Sequence, residues 1–249
     1  MPVDLEKILR PVDNPFAPYP PKVVALATGQ PMVIRQVDRD DIPDLLPHVE
    51  PLLHHERDYY DVVAARVYSE LLGHYKYRYQ DQYVLVGQID GHLAAIVNGR
   101  FVNKKLGMSL HTLAMHRGLR VGAHCFAAKM EYHIDIVGQD EVLVVAESPI
   151  GFRRWMIEYQ LEKRYEVPHE LGGVPSYALT RALFDKARGS LIVGKRPVSA
   201  ALLNKAQAGI LPPTDPPKAA PDFLAATRSV YDSTGTARIR KGKGGERHA

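Results

Sequence analysis

The residues best suited to chemistry lie between Leu110 and Tyr132. An apolar run, Leu110 to Met115, gives way to the turn Arg117-Gly118-Leu119-Arg120-Val121-Gly122-Ala123 and then to a helical pattern. A strand that feeds a glycine-bearing loop into a helix start aims unpaired backbone N–H groups, and the positive end of the helix dipole, at one point. Such a point seats an anion, and two arginines in the turn add guanidinium groups that can bind phosphate bidentately. A plain tight turn would use the same glycines. Two nearby groups can handle a proton. Glu147 follows the apolar run Glu141 to Ala146, where the edge of a cleft would raise its pKa, and His111 lies inside the apolar strand as either a base or a hydrogen-bonded structural residue.

Other clusters carry less. His54-His55-Glu56 are consecutive, so their side chains diverge and no metal site is expected. The run Tyr75-Lys76-Tyr77-Arg78-Tyr79 alternates aromatic and basic residues, as a base-stacking surface would, but so does any half-exposed extended segment.

With 249 residues, the chain has length for one substantial core with extensions or for two small domains. Its 45% hydrophobic and 24% charged content is that of an ordinary globular protein. A formal net charge of +4 is too mild to argue for nucleic acid. The single cysteine, Cys125, excludes an intrachain disulfide framework and a multi-cysteine zinc site, and its place on the apolar side of a helix makes it core. Met1 to Arg10 holds Asp4 and Glu6 and no continuous apolar region, so it does not read as a secretory signal. No stretch approaches membrane-spanning length, and the expected compartment is the cytoplasm.

Around the motif, periodicity predicts a strand over Met32 to Val37 and a helix from Ile42 to Leu53 that Pro47 and Pro51 would kink or break. A second helix is predicted over Asp58 to Leu72, ended by Gly73, with Val62, Val63, Val67, Leu71 and Leu72 buried. Tyr83 to Gln88 and Leu93 to Phe101 form a hairpin about Asp90-Gly91. Val121, Cys125, Ala128 and Tyr132 give the motif helix one apolar stripe, which Phe126, Met130 and Ile134 widen toward a sheet. Glu141 to Ala146 reads as a buried strand, Gly151 to Arg164 as a helix and Ser176 to Arg181 as a last strand.

This order of elements, together with the turn at Arg117 to Ala123, resembles the GNAT N-acetyltransferase family over roughly residues 32–185. The family's motif runs Arg or Gln, two residues, Gly, one residue, then Gly or Ala. Here Arg120 stands where its first glycine is expected, and Gly122 and Ala123 fit its end. The opening Val33-Ile34-Arg35 and the acidic cap after it also look like the family's start. The resemblance implies an α/β fold of the α+β type: a mixed, mostly antiparallel sheet with helices on both faces and a splayed parallel strand pair. It implies acetyl-coenzyme A or another acyl-coenzyme A as co-substrate, with backbone groups of Leu113 and Met115 beside pantetheine and Arg117, Gly118, Arg120, Val121, Gly122 and Ala123 about the pyrophosphate. The implied activity is N-acyl transfer, to a small-molecule amine or a protein lysine.

Many family members place an acidic tyrosine late in the helix after the motif's partner strand. In this chain that position counts to Gln160, with Tyr159 next to it as the candidate acid; Tyr159 as a buried aromatic stays open, and Glu147 is the candidate base. A non-catalytic binding protein on the same fold is the rival reading, and an RNA- or partner-binding module using the basic tail is a third. No membrane or nucleic-acid partner is expected, and an oligomer is left open. Outside the resemblance lie a proline-rich extension over residues 1–31, a helical and proline-rich extension over 186–235, and a basic tail over 236–249 expected to be disordered.

Overall fold

The structure, a computed structural model, describes residues 16–54, 59–76, 78–116, 118–146, 151, 159–171 and 176–214. Strands β1 (Lys22–Ala25), β2 (Pro31–Gln36), β3 (Gln82–Ile89), β4 (His92–Phe101), β5 (Leu106–Ala114), β6 (Glu141–Val144), β7 (Glu162–Lys163) and β8 (Tyr177–Thr180) form one sheet in the order β1-β2-β3-β4-β5-β6-β8-β7. Neighbours are antiparallel except β5 and β6, which run parallel through the helix between them. The described helices are α1 (Ile42–Val49), α2 (Tyr59–Tyr75), α3 (Val121–Glu131), α4 (Arg181–Leu191) and α5 (Ala200–Gln207).

Alternation along β3 divides the core. Tyr83 and Leu85 pack with Val121, Cys125 and Ala128 of α3, whereas Val84 and Val86 pack with Ile42 and Leu45 of α1 and Ala64, Val67 and Leu71 of α2. Helices therefore cover both faces of a mixed, mostly antiparallel sheet, which is the GNAT-type architecture that the element order implies. Asp90 (φ 55°) and Gly91 (φ 86°) turn β3 into β4, since a two-residue hairpin needs positive φ at both positions.

Several elements depart from expectation. Pro47 sits inside α1, and the helix yields only at Glu50–His54, which is 3-10. Val62 and Leu72 face solvent, at 50% and 38% exposure. Gly73 does not end its helix: α2 runs on to Tyr75, and a Cβ at Gly73 would lie 2.3 Å from the Tyr79 ring. This glycine makes room for an aromatic. The helix predicted to run to Arg164 does not include Tyr159 to Arg164, where Gln160 takes φ 53° and Glu162–Lys163 pairs with β8. Residues 152–158 lie outside the described residues.

The segments flanking the predicted domain are tied to it. β1, within the proline-rich extension, is an edge strand on β2. After α5, Leu211 bridges His92 and accepts from the Leu93 N–H at 2.9 Å. Glu131, at the end of α3, fixes both flanks: its carboxylate accepts from Tyr19 Oη (2.7 Å), Lys22 Nζ (2.8 Å) and Arg196 (2.9 and 3.1 Å). Residues 215–249, the rest of the extension over 186–235 and the basic tail, lie outside the described residues.

Candidate active site

β5 and β6 pair only from Leu106↔Glu141 to Ser109↔Val144, yet β5 continues to Ala114 with its other edge still on β4. Beyond Ser109 the two parallel strands part, and among the described residues no strand pairs with that edge of β5. The Met115 N–H donates to Ala94 O at 2.7 Å, so Met115 turns toward β4. Polar groups of alternate residues share an edge, which turns Leu113 the same way and leaves those of Thr112 and Ala114 facing the gap. This register corrects the expectation that Leu113 and Met115 present their backbone there; their side chains are buried in the α1–α2 core.

The chain then passes through Gly118 (φ 86°) and Arg120 (φ 58°) into α3. Arg120 thus holds the left-handed conformation that glycine adopts most freely, at the position where the family's glycine is expected. The Arg120 side chain does not cap α3, and the first turn of the helix holds no acidic residue. Its leading N–H groups have no acceptor within the helix, and they carry the positive end of its dipole. Gly122 faces the strand: a Cβ there would stand 3.1 Å from Ala114 Cβ, so this glycine lets helix and strand approach. Gly118, Arg120, Val121, Gly122 and Ala123 come together at the helix start, whereas Arg117 lies outside the described residues.

Where β5 begins to part from β6 it also bulges, the β4 register slipping between Val97↔Thr112 and Gly99↔Ser109. A polar cluster fills the irregularity. On the α2 side, His111 Nε2 donates to Glu70 Oε1 at 2.9 Å, Asn98 Nδ2 donates to the same carboxylate, and Asn98 Oδ1 accepts from the His111 N–H at 2.9 Å. On the α3 side, Lys129 Nζ donates to His111 O (2.9 Å), Asn98 O (3.2 Å) and Thr112 Oγ1 (3.4 Å). Burial pushes the Lys129 pKa down to about 7, against the opposing pull of Glu70. His169, from the loop between β7 and β8, donates from Nε2 to Ser109 O at 3.1 Å and accepts at Nδ1 from the Leu171 N–H at 3.1 Å. Burial lowers its pKa to about 4, so it is neutral near pH 7.

Sequence reasoning found His111 but not Glu70, Asn98, Lys129 or His169. The available signal was Lys129, a lone cation in a helix otherwise apolar over a broad arc. Of the two residues expected to be catalytic, Glu147 lies outside the described residues. Tyr159 is 4% exposed and packs edge-on against Phe126, with ring centroids 5.4 Å apart, beside Met130 and Phe184. Gln160 is on the surface and accepts from Lys186 Nζ at 2.8 Å. In the aromatic and basic run, Tyr79 lies against Gly73 and under the Arg100 guanidinium, 5.1 Å from its ring centroid. Among the described residues no group of three or more His, Cys, Asp or Glu is placed to hold a metal ion, and no helix is long and apolar enough to cross a membrane.

No family model matches the chain, and no curated protein matches it. Solved structures do. An uncharacterized protein from Bacillus halodurans superposes over 70% of this chain and 97% of its own, with TM-score 0.52 and 13% identity. The GNAT domain of S. lividans PAT covers 64% of this chain and 96% of its own at TM-score 0.44 and 18% identity. Mycobacterium smegmatis RimJ, solved in complex with CoA-disulfide, covers 76% and 93% at TM-score 0.43 and 13% identity. At such identities the likeness is one of fold.

Proposed function

We propose that the protein is an N-acyltransferase that moves an acyl group, acetyl in the simplest case, from acyl-coenzyme A to an amine. The observation that supports this reading is the parallel β5–β6 pair that ends at Ser109 and Val144, beyond which no described strand pairs with that edge of β5 as it leads toward a helix whose first turn holds no acidic residue. Thr112 would offer backbone groups to the pantetheine arm. The first N–H groups of α3 would hold the pyrophosphate together with Gly118, Arg120 and Arg117. Bound there, the co-substrate supplies a thioester carbonyl open to attack by an amine.

His111 is the residue proposed to take the proton. Its Nε2–H is held by Glu70, which fixes the ring's orientation and sets a carboxylate against the charge that proton transfer would create. As the amine nitrogen bonds the acyl carbon, its proton passes to His111. The C–S bond breaks, and the thiolate takes a proton from an acid, for which Tyr159 remains the proposed donor. Glu147 is the alternative base. A small-molecule amine or a protein lysine is the acceptor class.

Calorimetric titration with coenzyme A, followed by an acetyl transfer assay across an amine panel, tests the reading. Micromolar binding with turnover is expected, and Tyr159→Phe should cost roughly 10²-fold in turnover if its hydroxyl donates the proton. Binding without turnover would favour a non-catalytic protein on this fold, a reading that the side chain at Arg120 and the core packing of Tyr159 support. Absence of binding would sink both.

A further inference from the structure

The polar strip beneath α2 continues past His111 and Glu70, and it contains a side chain with its hydrogen-bonding capacity unmet. Gln82, the first residue of β3, is 4% exposed, and among the described residues neither its Oε1 nor its Nε2 has a partner. Alternation puts Gln82 on the face of Val84 and Val86, the one that α2 covers. It lies opposite Arg100, two residues along β4 from Asn98, so it belongs to the same polar surface as the bulge cluster. The preceding residue contributes another unmet acceptor: Asp81 Oδ2 binds Arg100, whereas its Oδ1 is buried without a partner. His74, four residues along α2 from Glu70, is held by Tyr79 O at 2.9 Å and does not reach them as a partner. A buried amide left unmet costs about 1–3 kcal/mol, which a group kept only for packing would have no reason to bear.

The unmet atoms select their ligand. Gln82 offers a donor and an acceptor side by side, and Asp81 adds an acceptor. A carboxylate would leave Oε1 unmet and would face Asp81. An ammonium or guanidinium group would leave Nε2 unmet. A carboxamide gives its carbonyl to Nε2 and an N–H to Oε1, and a primary one has a second N–H for an acceptor such as Asp81 Oδ1.

We propose that Gln82 determines acceptor specificity by reading a carboxamide, so that the acceptor is a small amine carrying an amide at its far end. The proposal rests on the acyltransferase reading, which places the reacting nitrogen at His111. From β3 to β5 is two strand spacings across and two residues along, roughly 12 Å between backbone positions. Allowing one hydrogen bond at each end, an extended ω-amino amide of about six carbons spans that separation.

Three acceptors matched in chain length, 6-aminohexanamide, 6-aminohexanoate and hexylamine, test it with acetyl-coenzyme A. Wild-type protein should favour 6-aminohexanamide by tenfold or more in kcat/KM. Gln82→Met should lose that preference, its kcat/KM for 6-aminohexanamide falling to that for hexylamine, and should raise the melting temperature, because the unmet amide is gone. Gln82→Glu, which turns the donor into an acceptor, should lose the preference as well and guards against a packing artefact in the methionine variant. Equal kcat/KM for the three acceptors in wild type, or a preference that survives both substitutions, would overturn the assignment. If no amine is acylated, the acyltransferase reading fails separately, and saturation-transfer NMR with 6-aminohexanamide then decides on Gln82: contact with wild type and not with Gln82→Met upholds the carboxamide site, and any other result removes it.

Discussion

Lys129 and Glu131 lie two residues apart on α3, and both are buried, but their surroundings differ in kind. Glu131 meets two cations and a phenol, and the Arg196 and Lys22 bonds hold its pKa at about 2 although burial alone would raise it. Lys129 meets two carbonyls and a hydroxyl, all uncharged, and burial takes its pKa to about 7. The first cluster is closed: each partner is a flank of the chain, and nothing is left for a ligand. The second borders the bulge where β5 leaves β6, beside His111 and the strip that ends at Gln82. A buried charge met by opposite charges fixes structure. One hydrogen-bonded only to dipoles, next to unmet polar atoms, leaves the polar strip open to a ligand in the function proposed above.

Breaking the closed cluster should have the largest effect on stability. Glu131→Ala would leave Lys22 buried without its carboxylate and should cost about 3–5 kcal/mol in urea unfolding at pH 7. The folded pKa lies below the ordinary 4.5, so Glu131's contribution is fully present above that pH and is lost as pH falls toward 2. The penalty of the substitution should therefore shrink on acidification below pH 5. A constant penalty from pH 7 to pH 3 would mean that packing, not charge, is what Glu131 supplies.

The open cluster should respond in activity. His111→Asn is expected to lower turnover about 10²-fold or more, with coenzyme A affinity within twofold of wild type by calorimetry. Glu70→Gln should follow at a smaller loss, because the histidine keeps a hydrogen-bond acceptor but its cation loses a charge. If both variants turn over as wild type does, the base lies elsewhere and Glu147 becomes the residue to replace.

Lys129 has a signature in pH rather than in rate. Its pKa is about 7 when folded and near 10.5 when unfolded, so between those values the unfolded chain binds the extra proton and stability rises with pH. The burial penalty is full below about pH 7. Lys129→Met should flatten that rise, whatever it does to stability at one pH. Denaturant titrations at pH 7, 8.5 and 10 read the slope; an unchanged slope would show that Lys129 keeps its proton in the fold.

The fold was legible because its signals are local. Alternation gave β3 and β4, Asp90-Gly91 gave their turn, and the broad apolar arc over Val121 to Ile134 gave the helix that packs on the sheet. Failures came where one residue answers to a distant partner. Gly73 reads as a helix stop until Tyr79 is seen against it, and β1 reads as part of a proline-rich extension outside the domain until β2 supplies its edge. The site divided in the same way. The loop into α3 is contiguous and visible as a motif, whereas the bulge cluster draws Glu70, Asn98, His111, Lys129 and His169 from four separate elements and a loop, with no spacing in the chain that links them. The one-residue error at Leu113 and Met115 has a similar cause, since the edge that a strand residue faces depends on its neighbour's register.

Arg120 gives the smallest expected effect and the finest test of the contrast between closed and open polar sites. At φ 58° a side chain costs about 1 kcal/mol relative to glycine, so Arg120→Gly should relieve backbone strain and raise stability by up to that amount. If the guanidinium also contacts the pyrophosphate, the same variant should bind coenzyme A several-fold more weakly and with a flatter dependence on salt, because one charge–charge contact has gone. Arg120→Ala separates the two effects: it keeps the strain and loses the contact, so its affinity should match that of Arg120→Gly while its stability stays near that of wild type. Should Arg120→Gly bind more tightly than wild type, the side chain crowds the phosphate and the strained position has no functional return. Equal affinity in all three proteins would place Arg120 outside the site and leave the helix dipole and the leading N–H groups of α3 to hold the anion alone.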